Sequence, residues 1–345
     1  MKKKLPLKYP TITSWDWTAT TFAVLENHNQ CNDWMFNNFV QIFSERYQNI
    51  ISLHFLPHID VFSMCPFFYV SLIPRCLIYS DVITFFKKCI DENFYIYCTV
   101  DVGSIIYNKK FPHEITLYGY DDSRKEFNVA SFILNKGNKY AFSTLSYQQL
   151  LTAYNNISTS DDDLEDGIGG KGGVLLFKFN QDMTYNFDFN LFTKNILDYL
   201  TSTDSGKIYR PYNILENRKN YGIQKVSYGM EIYDELIFSL NNLENLKRIY
   251  FIQPLHVLYD HKVFMTQCFK YLKIKYNLSI SQNIIQEYDN LAKESLYCRN
   301  AAIKYSIDLK REKFINIIDK LTNIRDREYR ILTTLLEKTL SPYSI

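Results

Sequence analysis

Between residues 94 and 134 the chain reads FYIYCTVDVGSIIYNKKFPHEITLYGYDDSRKEFNVASFIL, and no other stretch restricts the fold so tightly. Three runs, 94–102, 114–120 and 126–134, are dense in Ile, Val, Phe and Tyr, which suit a pleated, half-buried surface. Asp121-Asp122-Ser123-Arg124 is a turn-forming polar cluster, so the last two runs read as an antiparallel hairpin. His113 follows Pro112 at the entrance to the middle run, and Asp101 stands near the end of the preceding one. An imidazole at a strand end is a candidate general acid or base, and it is equally a common surface histidine.

The remaining composition narrows the function classes. A chain of 345 residues is long enough for two domains or one large one. Its formal net charge of +2 makes no electrostatic case for nucleic acid or a membrane surface. No signal-like apolar run follows Lys2-Lys3-Lys4, and no run of about 18 apolar residues reads as a membrane span. Seven scattered cysteines without a CxxC pair fit neither a zinc ribbon nor a disulfide scaffold, and suit a reducing cytoplasm. His256 and His261 are five residues apart, not the four of a helical metal pair, so no metal is expected. The glycines around Lys171 lack the Ser or Thr of a phosphate loop, so no nucleotide cofactor is expected either.

Taken in order, Ser14 is placed to cap a helix over 15–26, and a second helix is expected over 34–43, capped by Asn32 or Asp33. Cys31 then sits just ahead of a helix N-terminus, where free amides and the helix dipole favour a thiolate. Residues 50–80 are apolar and broken by Pro57, Pro66 and Pro74, and read as irregular. Short helices are expected over 81–89, 145–154 and 191–200, with a strand over 174–179. Residues 158–173, STSDDDLEDGIGGKGG, are acidic and glycine-rich and read as a linker or loop. Long helices are expected over 223–243, 254–276, 281–307 and 312–340. The expected division is thus a first domain over 1–157, the linker, and a mainly helical region over 174–345.

A cysteine before an N-terminal helix, followed much later by a histidine entering a strand, is the chain order of a papain-like site. The run YCTVDV…FPHEITLYGYDDSRKEFNVASF, with Asp101, His113 and Gly119-Tyr120-Asp121, resembles the cysteine-protease-like acyltransferases of thiotemplated biosynthesis. These include the N-terminal domain of the butirosin acyltransferase and the amide synthase of closthioamide assembly. The resemblance covers roughly residues 10–155. It implies an α+β, papain-like fold with an antiparallel sheet, followed by a helical region serving as lid or amine pocket. It also implies an enzyme that needs no cofactor. An acyl group on a carrier-protein phosphopantetheine thioester would pass to a cysteine and then to an amine, possibly a diamine.

On that resemblance Cys31 is the nucleophile, His113 the general base and acid, and Asp101 the orienting carboxylate, with Asn128 as the alternative third residue. Asn27, Asn29, Gln30 and the Cys31 amide are the possible oxyanion donors. The chain departs from the family in two places: where relatives carry the cysteine, at the start of the first helix, it has Trp15-Asp16-Trp17, and near Asn128 to Ser131, one hairpin after the histidine, where their third residue usually stands, it has no carboxylate. The rival expectations are a papain-like peptidase or thioesterase, in which water takes the acyl group, and a non-catalytic protein that binds the carrier.

Overall fold

The computed structural model describes residues 1–58, 61–78, 81–106, 109–132, 139–157, 173–209, 222–242, 251–308 and 312–340. Its strands are β1 (Lys2–Lys4), β2 (Ile42–Tyr47), β3 (Ile50–Phe55), β4 (Phe68–Pro74), β5 (Tyr95–Asp101), β6 (Pro112–Asp121), β7 (Glu126–Ser131), β8 (Ala141–Ser146), β9 (Gly173–Phe179) and β10 (Lys225–Tyr228). Its helices are α1 (Asp16–Leu25), α2 (Asn32–Asn38), α3 (Val61–Met64), α4 (Val82–Asp91), α5 (Gly103–Ile106), α6 (Tyr147–Asn155), α7 (Phe189–Leu200), α8 (Ile232–Asn241), α9 (Ile252–Lys275), α10 (Gln282–Asp308) and α11 (Glu312–Leu335). The class is α+β, as expected, with antiparallel sheets and a helical C-terminal region.

The chain divides into two compact units, one of Met1–Cys31 and Ile59–Thr184, the other of Asn32–His58 and Tyr185–Ile345. This corrects the expected division at 157 and 174. β9, expected to open the second region, lies inside the sheet of the first unit between β4 and β5. Residues 32–58, expected in the first domain, belong to the second. Of the expected linker, residues 158–172 lie outside the described residues, and so does the loop around Lys171.

In the first unit the sheet runs β4-β9-β5-β6-β7-β8, with β1 added beside β6, and every pairing is antiparallel. The three expected strands are β5, β6 and β7. Ile96, Ile115, Leu117 and Val129 are fully buried within them. β9 is buried along Val174–Phe177, which explains its unbroken apolar run in the middle of a sheet. Asp81 caps α4 by accepting from the amides of Ile83 and Thr84. Ser146 and Gln149 form a capping box on α6. α1 begins at Asp16, so its N-cap is Trp15 rather than the expected Ser14. The stretch expected to be irregular holds β3 and β4. Pro74 is tolerated because β4 lies at the sheet edge, at the strand's last residue.

The second unit has a three-stranded sheet, β10-β2-β3, and the long helices. Two expected helices are corrected here. The one over 34–43 stops at Asn38, and Ile42 and Phe43 open β2, whose pairing with β3 and β10 overrides local helical spacing. The one over 223–243 is split into β10 and α8. Gly229 between them has φ 51°, and a Cβ there would stand 2.0 Å from the Tyr199 carbonyl oxygen. In α10 and α11, Leu291, Ala302, Ile317, Leu321, Ile324 and Leu332 are buried as their spacing predicts. At the centre of this unit Lys262 is wholly buried, 2.5 Å from Glu328. The hydroxyls of Tyr199, Tyr233 and Tyr288 also donate to that carboxylate. No helix among the described residues is long and apolar enough to cross a membrane.

Candidate functional site

α1 lies along β6, and the register between them comes from two threonines. The hydroxyls of Thr20 and Thr116 are 2.7 Å apart, both buried. Asp16 is four residues before Thr20, a rise of about 6 Å along the same helix face. Glu114 is two residues before Thr116, about 7 Å back along the strand. The two steps nearly match, so the Asp16 carboxylate is delivered to the start of β6.

There it meets the histidine singled out by the sequence. Asp16 Oδ2 is 3.2 Å from His113 Nδ1, with the carboxylate almost fully buried and the imidazole about a quarter exposed, 3% and 24%. Among the described residues neither Asp16 oxygen has a hydrogen-bond partner that meets ordinary geometry. Burial first, and the nearby Glu114 charge second, push the Asp16 carboxyl well above its ordinary range. His113 Nδ1 also lies 3.1 Å from the carbonyl oxygen of Glu114 and 3.8 Å from Glu114 Oε2. That carbonyl accepts from Ser131 Oγ at 3.0 Å as well, which anchors it. With Nδ1–H donating to the carbonyl, Nε2 is left as the accepting nitrogen of the ring. Phe111 stacks on the imidazole at 6.0 Å between centroids.

Tyr97 completes the cluster. It stands opposite Thr116 in the β5–β6 ladder and shares that face with Glu114. The side chain is fully buried, and its hydroxyl has no partner among the described residues. Burial first, then the Glu114 and Asp16 charges, raise its pKa well above the ordinary value. Asp16, His113 and Glu114 each offer a ligand atom, all within 4.8 Å of one another.

The other expected site residues lie elsewhere. Cys31 ends a single turn, Asn29–Cys31, directly before α2, as the spacing predicts. Its thiol is fully buried, however, and burial pushes its pKa up to about 12. The expectation of a favoured thiolate is therefore reversed: desolvation outweighs what the N-terminus of a seven-residue helix supplies. The ionisable group felt next to it is Cys65. The ion-pair contacts of His113 are to Asp16 and Glu114 and its ring stacks on Phe111, and among the described residues no hydrogen bond links it to Cys31.

Asp101 is likewise not on the imidazole; the register sets Val100 opposite His113. Its carboxylate accepts from the amides of Phe111 and Ser104 and from the Asn156 side chain. It thus holds the end of the connection that leads into β6. Asn128 pairs with Gly119, six residues beyond His113 on β6, a separation of roughly 20 Å. It cannot orient the imidazole. The Asn27 amide donates to the Ala23 and Val24 carbonyls, and the Gln30 amide to those of Gln181 and Met183, so both are engaged away from any oxyanion. His261 is structural, its buried Nε2 lying 2.8 Å from the Val40 carbonyl oxygen.

Asp16 is the member that sequence reasoning did not assign. The matched spacing of Asp16 and Thr20 with Glu114 and Thr116 becomes a signal only once α1 is laid on β6. No model of a known protein family matches the chain. No curated protein matches its sequence.

Proposed function

We propose that the chain is an amide-forming acyltransferase of thiotemplated biosynthesis, on a papain-like domain, in which Asp16 and His113 carry the chemistry in place of a cysteine. The observation behind this is the 3.2 Å contact between a buried carboxylate at the foot of the first helix and Nδ1 of a part-exposed imidazole. That is the position where the enzymes it resembles hold their nucleophile.

In this reading the acyl group stays on the carrier-protein thioester until the amine attacks it. The amine nitrogen forms a bond to the carbonyl carbon as His113 Nε2 takes its proton. The carbon–sulfur bond breaks, the electron pair leaves on sulfur, and the imidazolium returns the proton to the thiolate. The products are an amide and a free carrier thiol. The thiol is a good leaving group, so the step needs no ATP. Asp16 stabilises the imidazolium that forms between the two proton transfers. Asp101 is a positioning residue, acting through its bond to the Phe111 amide.

The test is amide formation from a benzoyl thioester and a primary diamine, followed by mass spectrometry. His113→Ala should lower turnover by about a hundredfold or more, Asp16→Asn should lower it too, and Cys31→Ala should retain it. A covalent acyl adduct on Cys31, or loss of turnover in Cys31→Ala alone, overturns the assignment. Free acid formed in the presence of the amine favours the peptidase or thioesterase reading. One observation supports a non-catalytic reading: a carboxylate stands at the nucleophile's place. Carrier-protein binding without turnover of carrier-bound donors would establish it.

A further inference from the structure

The foot of α1 holds more buried oxygen than its neighbours satisfy. Both Asp16 oxygens and the Tyr97 hydroxyl lack hydrogen-bond partners among the described residues, and both side chains are more than nine-tenths buried. Buried polar groups are nearly always hydrogen-bonded, and among the described residues Asp16 has only the 3.2 Å contact of one oxygen with the His113 imidazole. The two orphaned groups come from different elements, α1 and β5, and converge on one place beside Glu114.

We propose that Asp16, His113 and Glu114 bind one divalent first-row transition-metal ion of the Mn2+ to Zn2+ class.

The spacing of the ligand atoms supports this. Metal–ligand bonds of about 2.1 Å separate neighbouring ligand atoms by about 3.0 Å in an octahedron and about 3.4 Å in a tetrahedron. His113 Nδ1 lies 3.2 Å from Asp16 Oδ2 and 3.8 Å from Glu114 Oε2. Small side-chain adjustments bring both onto one ion. The donor set selects the metal: an imidazole disfavours Mg2+ and Ca2+, and the lack of a thiolate disfavours soft ions. Three protein ligands leave open positions, and the buried Tyr97 side chain lies near enough to feel the charges of both Glu114 and Asp16. Coordination through Nδ1 moves the imidazole proton to Nε2. On the acyl-transfer reading, an occupied site therefore lacks its base, and the ion acts as an inhibitor.

Binding is measured on the full chain with Mn2+, whose free-ion paramagnetic resonance signal falls as it binds and which has little affinity for the cysteines. The expected result is one Mn2+ per chain, displaced by Zn2+ and not by Mg2+. Asp16→Asn and Glu114→Gln should each weaken binding by at least about tenfold, and Tyr97→Phe should retain it. Glu114 is partly exposed, at 22%, so Glu114→Gln keeps the test available should Asp16→Asn fail to fold. Circular dichroism establishes that each variant tested is folded. No binding to the folded wild type, or equal binding in folded Glu114→Gln, overturns the proposal, the latter marking adventitious surface sites. Amide formation in the presence of a chelator is read separately, so failure of one proposal is not failure of the other.

Discussion

The hydroxyls of Thr20 on α1 and Thr116 on β6 meet at 2.7 Å inside the core, and this contact sets where the first helix rests along the sheet. Thr20→Val leaves the Thr116 hydroxyl buried without this partner, at about 1–3 kcal/mol, whereas Thr116→Val leaves the Thr20 hydroxyl with the Tyr140 hydroxyl 3.4 Å away and should be the milder change. The double replacement removes both groups and should cost less than the sum of the singles. Urea denaturation of the four proteins measures this. Single variants that cost no more than a surface substitution would show that the threonines do not hold the helix.

Thiol labelling distinguishes Cys31 from a reactive nucleophile. Its thiol is buried and its pKa is pushed up to about 12, whereas Cys76 is the exposed member of the set. Iodoacetamide near pH 8 should modify Cys76 and leave Cys31 untouched in the native protein. Peptide mapping reads the result, and rapid labelling of Cys31 would restore the cysteine mechanism.

The buried pair in the helical unit should respond unequally to its two deletions. Glu328→Ala leaves Lys262 and three tyrosine hydroxyls without their acceptor, and should cost about 3–5 kcal/mol or more. Lys262→Met leaves the carboxylate with three hydroxyl donors, and should be the milder change. Chemical denaturation of both variants checks the order. Equal costs would mean that the tyrosines contribute little to holding Glu328.

His261 should make stability fall on mild acidification. Burial first, and the adjacent Lys262 charge second, lower its pKa from 6.5 to about 3; Glu328 opposes this. The folded protein then keeps the ring neutral at a pH where the unfolded chain protonates it. Stability from this group is complete above pH 6.5 and declines as the pH falls toward 3. Between about pH 6.5 and 5, where ordinary carboxylates are silent, His261→Gln should flatten the decline. Denaturation midpoints across that window test it, and an unchanged slope would place the proton uptake on another group.

Much of this architecture was legible because local and tertiary preferences agree. β5, β6 and β7 alternate or run apolar at strand length, and Ile317, Leu321 and Ile324 repeat at helical spacing in a helix that buries them. The sequence misled where they conflict. Phe39, Ile42 and Phe43 fit a helical stripe, yet Phe43 pairs with Tyr228, far along the chain, and that partner decides its conformation. The helix expected over 223–243 ran straight across Gly229, and only the nearby Tyr199 carbonyl explains why glycine is needed at the break between β10 and α8. His113 was visible as a strand-end imidazole. Asp16 was not, because a carboxylate between two tryptophans reads as a solvated helix start until β6 is laid beneath it. Cys31 was correctly placed before a helix, but its burial depends on packing that spacing does not report.

The position of β9 bears on how the protein is made. As the chain leaves the ribosome, β4 and β5 emerge well before the strand that will lie between them. Until residues 173–179 arrive, each exposes a row of unpaired amides and carbonyls toward the other. A fragment ending near residue 157, where composition suggests a boundary, would keep both open edges permanently and should aggregate. The nascent protein therefore passes through a period in which β4 stands alone and the other five strands of the sheet, β1 and β5 to β8, end at an open edge on β5.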